Sequence, residues 1–336
     1  MESKVVWVLE GRHAGDNAQA RAVATLSGGM VANKKLVFNA LYHMPNILLG
    51  ARQVSLDLQR SDPLAPPWPD LVVATGRRSV PVARWIRAQS GGGTKLVQIG
   101  RPRAPLDWFD LVITTAQYGL PHAPNVLQLR SPIVTADTAP AVQAEEWHDT
   151  FGTLPRPWIG VLVGGSRKPF RFDAPAARSL AVDASAMARE LGGSLLISTS
   201  PRTPADTLDI LAGALTVPHY LYRYGNRGPN PHQAILGLAD RFIVTADSVS
   251  MIAEACLTGR LVFLADVPRK DWRPSFDAGP LLARRGIKTP PRDITRQTSD
   301  LVKSGHAVWL GSEPSNFVPL PDERPLVAER LRTLLA

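Results

Sequence analysis

The chain has 336 residues, 44% hydrophobic and 20% charged, and 38 Lys and Arg against 29 Asp and Glu give a net charge of +9. At about 150 residues per domain this length suggests two soluble globular domains; disorder is excluded by the hydrophobic content, and a disulfide framework or cysteine-rich zinc site by a single cysteine, Cys256. No apolar run approaches the ~18 residues of a membrane span, and the apolar residues 5–9 run too soon into Glu10 and Arg12 for a secretory leader, so a reducing, cytoplasmic setting is expected.

Short apolar, β-rich runs end in Gly, Ser, Thr or Asp, and a helix-compatible stretch usually follows. Residues 4–9 (KVVWVL) predict a strand, 11–17 a loop and 18–26 a helix. A strand over 70–75 closes at Gly76, with a helix over 80–89 behind it. Strands over 95–99, 111–115 and 126–129 complete the first half. Residues 130–158, with Pro132, Pro140, Pro155 and Pro157, interrupt the rhythm and read as a linker with a short helix around 141–150. Strands over 158–163, 194–198, 220–223, 241–245 and 261–264 then alternate with helices over 174–191, 204–214, 232–238 and 248–258. A helix over 326–335 closes the chain. Near-continuous apolar strands between helices indicate parallel sheets covered on both faces. The expectation is two Rossmann-like α/β domains, residues 1–140 and 141–336, around a cleft. Ligands in such sheets sit beyond the carboxyl ends of the strands.

The charge invites a nucleic-acid partner. Yet residues 1–152 carry 15 Lys and Arg against 12 Asp and Glu, and residues 153–336 carry 23 against 17. The excess is spread out, with no basic arm and no familiar nucleic-acid motif. No nucleic acid is expected; phosphates and an anionic membrane surface are the sharper candidates.

The loops after the strands carry the candidate chemistry. Gly11-Arg12-His13-Ala14-Gly15-Asp16-Asn17 lacks the dinucleotide fingerprint, but Asp16 or Asn17 suits a helix cap beside an anion site. Asp16 is the best placed carboxylate for a general base, with His13 the rival. Gly76-Arg77-Arg78 puts two cations at a helix start, where the macrodipole favours an anion. Gly164-Gly165-Ser166, before Arg167 and Lys168, suits a diphosphate cradle but lacks the ending of an ATPase loop. Residues 198–203 form a hydroxyl-rich strand end with Arg202. Asn230-Pro231-His232 opens one helix, and Asp247-Ser248-Val249-Ser250-Met251 opens another. Asp247 or Ser248 would cap the latter and leave amides for a phosphate, with Glu254 within reach of a ribose diol and Gly259 a left-handed stop.

The run from Asn230 through residues 245–255 resembles the mitochondrial fission ELM-type family of plant and bacterial proteins, the bacterial ones often described as glycosyltransferases. Gly15-Asp16-Asn17 with Gln19, residues 69–83 around Gly76 and Arg77, Gly164-Gly165-Ser166, and residues 198–204 around Arg202 match in the same order over about residues 5–265. The resemblance implies a GT-B-like α/β fold, two Rossmann-like domains facing across a cleft, with the last helix packing back on the first domain. It implies a metal-independent glycosyltransferase moving a sugar from a nucleotide-sugar donor, with no further cofactor, to a cell-envelope or lipid-linked glycan acceptor, at the inner face of an anionic membrane. Alternatives on the same fold are a nucleotide-sugar epimerase or hydrolase, and a non-catalytic membrane-fission adaptor. By the resemblance, Gly164, Gly165, Ser166, Arg202, Asn230, Asp247, Ser248, Ser250, Met251 and Glu254 hold the donor. Gly15, Asn17, Gln19, Gly76 and Arg77 would hold acceptor or phosphate; Asp16 is expected as the base from its place in the loop, not from the resemblance. Many relatives have Gly-His where this chain has Gly15-Asp16.

Overall fold

The computed structural model describes residues 3–134, 139–269 and 292–336; residues 135–138 of the expected linker lie outside them. The chain divides into two units. Of the described residues, unit 1 takes 3–134, 292–293 and 322–336, and unit 2 takes 139–269 and 294–321. The division is therefore not a single cut near residue 140.

In unit 1, strands β1 (Val5–Glu10), β2 (Met30–Lys35), β3 (Leu71–Thr75), β4 (Lys95–Ile99), β5 (Leu111–Thr115) and β6 (Val126–Leu129) form a parallel sheet in the order β2-β1-β3-β4-β5-β6. Its helices are α1 (Ala14–Thr25), α2 (Asn46–Leu49), α3 (Val80–Gln89) and, from the far end of the chain, α10 (Arg324–Leu335). Val6 and Val8 pack with Ala20 and Val23 of α1 and with Val327 and Leu331 of α10. Trp7 and Leu9 pack on the opposite face with Val82 and Ile86 of α3. One apolar strand thus supplies both layers, as a buried parallel strand must. The unexpected strand is β2. Its MVANKK sequence has no apolar run because it is an edge strand with mostly exposed side chains, and Lys34 and Lys35 keep that edge from pairing with another chain.

In unit 2, β7 (Trp158–Gly165), β8 (Ser194–Arg202), β9 (His219–Tyr222), β10 (Arg241–Thr245), β11 (Val262–Ala265) and β12 (Val308–Trp309) form a second parallel sheet, ordered β12-β11-β10-β7-β8-β9. Counted from β7, this is the doubly wound 3-2-1-4-5-6 order. Ile159, Val161 and Val163 pack against α5 (Ala174–Leu191) and α6 (Ala205–Ala214). Trp158 and Leu162 pack on the other face with α4 (Ala139–Gly152), α7 (His232–Leu238) and α8 (Val249–Leu257). Helix α9 (Ile294–Lys303) and β12 were not expected. The buried face of α9 is half polar, Ile294, Gln297, Thr298 and Leu301, which blurs its helical period. No helix among the described residues is long and apolar enough to cross a membrane.

Candidate functional site

Unit 2 reverses its winding between β7 and β10, and open α/β sheets bind ligands at that switch point. The Gly164 N–H donates to Thr245 Oγ1 at 2.8 Å, joining the two strand ends. Asp247, with no exposed surface, lies against Gly164: a Cβ there would stand 2.5 Å from both carboxylate oxygens. Arg202, at the end of β8, places Nη1 2.8 Å from Asp247 Oδ2. Burial pushes the Asp247 carboxyl upward, and the Arg202 charge pulls against it.

This geometry corrects part of the sequence expectation. Gly164 and Gly165 belong to buried strand β7, not to an open turn. Gly165, at φ +123°, would drive a Cβ into the Arg202 backbone. The Ser166 N–H donates to the Arg202 carbonyl at 3.1 Å, so the amides of Gly164 and Ser166 are used within the fold. The two glycines admit Asp247 and β8, and those two amides are not left for a diphosphate. Asp247 is too deep for a ligand contact and neither caps α8 nor touches solvent; it holds Arg202.

Ser248 is the N-cap of α8, and its side chain makes no capping bond. Ser250 in the first turn is exposed and Met251 half-buried. Glu254, further along α8, has Oε2 2.8 Å from His232 Nε2 at the start of α7. Asn230 Oδ1 accepts the His232 N–H at 3.0 Å. Asn230, His232 and Glu254 therefore form one cluster, with a carboxylate held by an imidazole and still partly open. His232 was not singled out from the sequence, although it opens the same motif.

Unit 1 has its own switch point, between β1 and β3. Helix α1 starts at Ala14 rather than 18, so Gly15 and Asp16 lie in its first turn, with His13 at the N-cap. The helix dipole favours Asp16 there. Asn17 is not a cap: its Nδ2 donates to the Gly11 carbonyl at 3.0 Å and its Oδ1 accepts the Gly11 N–H at 2.9 Å. Gly76 turns the chain after β3 at φ +68°, and Gln98 Nε2 donates to its carbonyl at 2.9 Å.

Two cavities, of about 290 and 170 Å³, open at these loops, and Asp16, Thr75, Gly76 and Arg77 line both. Gln19 lines the larger and Asn17 and His13 the smaller, while among the described residues Asp16 is the only carboxylate in either wall. The larger also gathers Arg101, Arg103, Tyr118 and Arg292. Burial and the charges of Arg103 and Arg292 push the Arg101 guanidinium down to about 10. Burial, then Arg103 and Arg78, lower Arg77 as well. Arg101 and Arg103 follow β4, so the strand-end rule that found Arg77 also pointed to them; Arg292 had no such signal.

The chain's residues 14–301 match the family model described as Mitochondrial fission ELM1. The mitochondrial fission protein ELM1 of Arabidopsis thaliana is 31% identical over 228 residues, covering 61% of this chain and 53% of that protein. The chain thus spans about half the length of that relative. Among solved structures, it is similar to UDP-GlcNAc 2-epimerase from Neisseria meningitidis, at 12% identity and a TM-score of 0.48, over 98% of this chain and 100% of that one. It is also similar to MurG of Acinetobacter baumannii, at 14% identity and a TM-score of 0.46, over 99% of this chain and 94% of that one.

Proposed function

We propose, from the premise that the chain belongs to the mitochondrial fission ELM1 family, that it is a glycosyltransferase using a nucleotide-sugar donor. The observation that carries this reading is the start of α8 at the switch point of unit 2, with Glu254 fixed by His232 at 2.8 Å. Ser248, Ser250 and Met251 surround a helix start, where the dipole and first-turn amides favour a diphosphate. Glu254 accepts hydrogen bonds from the ribose diol. Arg202, still 30% exposed while paired with Asp247, adds positive charge for the leaving diphosphate, which is the task a metal would otherwise perform. Unit 1 serves the acceptor. Its hydroxyl oxygen bonds to the anomeric carbon, the bond from that carbon to the diphosphate oxygen breaks, and Asp16 takes the hydroxyl proton. The acceptor is a cell-envelope or lipid-linked glycan, met at an anionic membrane surface.

Calorimetric titration of a nucleotide-sugar panel tests this. At least one donor should bind the wild-type protein, and Glu254→Gln should weaken it by roughly tenfold, the loss of a charged hydrogen-bond acceptor. A flat response across the panel would refute the reading and leave a non-catalytic adaptor. Turnover of the donor without any acceptor would replace transfer by epimerase or hydrolase chemistry.

A further inference from the structure

Four guanidinium groups, those of Arg77, Arg101, Arg103 and Arg292, share the wall of the 290 Å³ cavity of unit 1 with one carboxylate among the described residues, Asp16. Among the described residues none of the four is ion-paired with a carboxylate. Arg101 Nη1 is buried with no hydrogen-bond partner among the described residues. Like charges brought this close repel, and a buried guanidinium donor left unpaired costs stability. A ligand carrying one negative charge leaves most of that wall uncompensated. A diphosphate offers several charged oxygens to the planar forks that arginine presents.

The neighbouring surface has the opposite character. Buried Asn46, the first residue of α2, donates Nδ2 to the carbonyls of Pro102 at 3.0 Å and Arg103 at 3.3 Å. That ties α2 to the segment that carries Arg101 and Arg103. The Arg78 guanidinium lies 4.0 Å over the Tyr42 ring, in the 3-10 turn Ala40–His43. From this anchored segment Leu41, Met44, Ile47 and Leu48 are exposed, Leu48 by 60%. Four large apolar side chains exposed from one short span exceed the scattered single apolar residues of an ordinary surface. The tie through Asn46 to the segment carrying Arg101 and Arg103 points to one occupant for both surfaces, a molecule with a charged head and an apolar tail.

We infer that unit 1 binds an amphiphilic diphosphate of the prenyl type. Its head lies among Arg77, Arg101, Arg103 and Arg292, and its hydrocarbon chain runs along Leu41, Met44, Ile47 and Leu48. This rests on the acceptor side of the function proposed above, and it names the acceptor's carrier as a lipid diphosphate.

The test uses the whole protein and three probes: inorganic pyrophosphate, uridine diphosphate and a fifteen-carbon prenyl diphosphate. The prenyl diphosphate should bind roughly tenfold or more tightly than pyrophosphate, as burial of several methylene groups predicts. Arg101→Gln should weaken both by roughly tenfold, and Arg292→Gln repeats the measurement should the first variant fail to fold. Ile47→Ser with Leu48→Ser should remove the prenyl advantage and leave pyrophosphate binding intact. Unchanged pyrophosphate affinity in both arginine variants would overturn the inference. So would a prenyl diphosphate no tighter than pyrophosphate, or uridine diphosphate binding that the arginine substitutions weaken as much as they weaken prenyl diphosphate binding. Nucleotide sugars titrated into the same samples keep the two readings apart: prenyl diphosphate binding without donor binding would sink the donor reading and keep this one.

Discussion

Arg202 Nη1 stands 2.8 Å from Oδ2 of Asp247, a carboxylate with no exposed surface, while the arginine side chain keeps 30% of its own. One charge is sealed in unit 2 and its partner stays within reach of water. Removing the guanidinium in Arg202→Met leaves the buried carboxylate without its countercharge, at a cost of about 3 kcal/mol. The sign of the pH dependence follows from Asp247, whose carboxyl is already pushed above its ordinary value by burial. The native state then holds the proton more tightly than the unfolded chain, so stability falls as pH rises between the unfolded and folded values. Losing Arg202 raises the folded value further. Urea unfolding should show a larger deficit for the variant at pH 8 than near the ordinary carboxylate value, at about pH 4; equal deficits would contradict the pairing.

Gly164→Ala tests the same corner from the backbone. The new Cβ would stand 2.5 Å from both Asp247 oxygens, and crowding of this kind costs about 1–3 kcal/mol. Thermal unfolding should report the loss. Asp247→Ala in the same chain should recover part of it by vacating the space. Additive losses in the double variant would mean that Gly164 is needed for some other reason.

Asp16 is exposed in the first turn of α1, so Asp16→Asn gives up only a helix-dipole contact, of about 0.3–1 kcal/mol. Turnover is a different matter. Loss of a general base should lower kcat by about 10²–10⁴-fold and leave donor affinity unchanged. Wild-type turnover in Asp16→Asn, with the loss in His13→Asn instead, would move the base to the histidine.

The arginine cavity predicts an inverse effect on stability. Arg101 is held down to about 10 by burial and by Arg103 and Arg292, so its charge opposes folding while the cavity is without an anion. Arg101→Gln should raise the melting temperature of the unliganded protein by roughly 2–4 °C, the equivalent of about 1 kcal/mol. Added salt should stabilise the wild-type protein more than the variant, because it screens the repulsion. A variant that melts lower at every salt concentration would show that the side chain is there for packing.

Much of the fold was legible because its strands are buried on both faces. KLVQI, LVITT, RFIVT and the helix from Ala174 to Leu191 each occupy the predicted residues. Legibility failed where burial and composition part company. MVANKK forms an edge strand without an apolar run. Strand β7 continues through Gly164 and Gly165, and β8 through Pro201, because the side chains and backbone that need those residues come from elsewhere in the chain. The candidate site divides in the same way. Glu254, in the helix after β10, and Arg202, at the end of β8, lie where local sequence reveals them. Their working partners do not announce themselves: His232 meets Glu254 across 22 residues, and Arg202 meets Asp247 across 45. Only the strand order brings these together.

Helix α10 has a consequence for how the protein is made. Val327 and Leu331 are fully buried in the core layer that Val6 and Val8 begin, and Glu323 Oε2 accepts the Arg130 N–H at 2.8 Å. Unit 1 is therefore begun before unit 2 and finished after it during synthesis. All of unit 2 leaves the ribosome while that layer still lacks one helix. A nascent chain halted between unit 2 and residue 324 carries an unsealed apolar face on unit 1, whatever the state of unit 2.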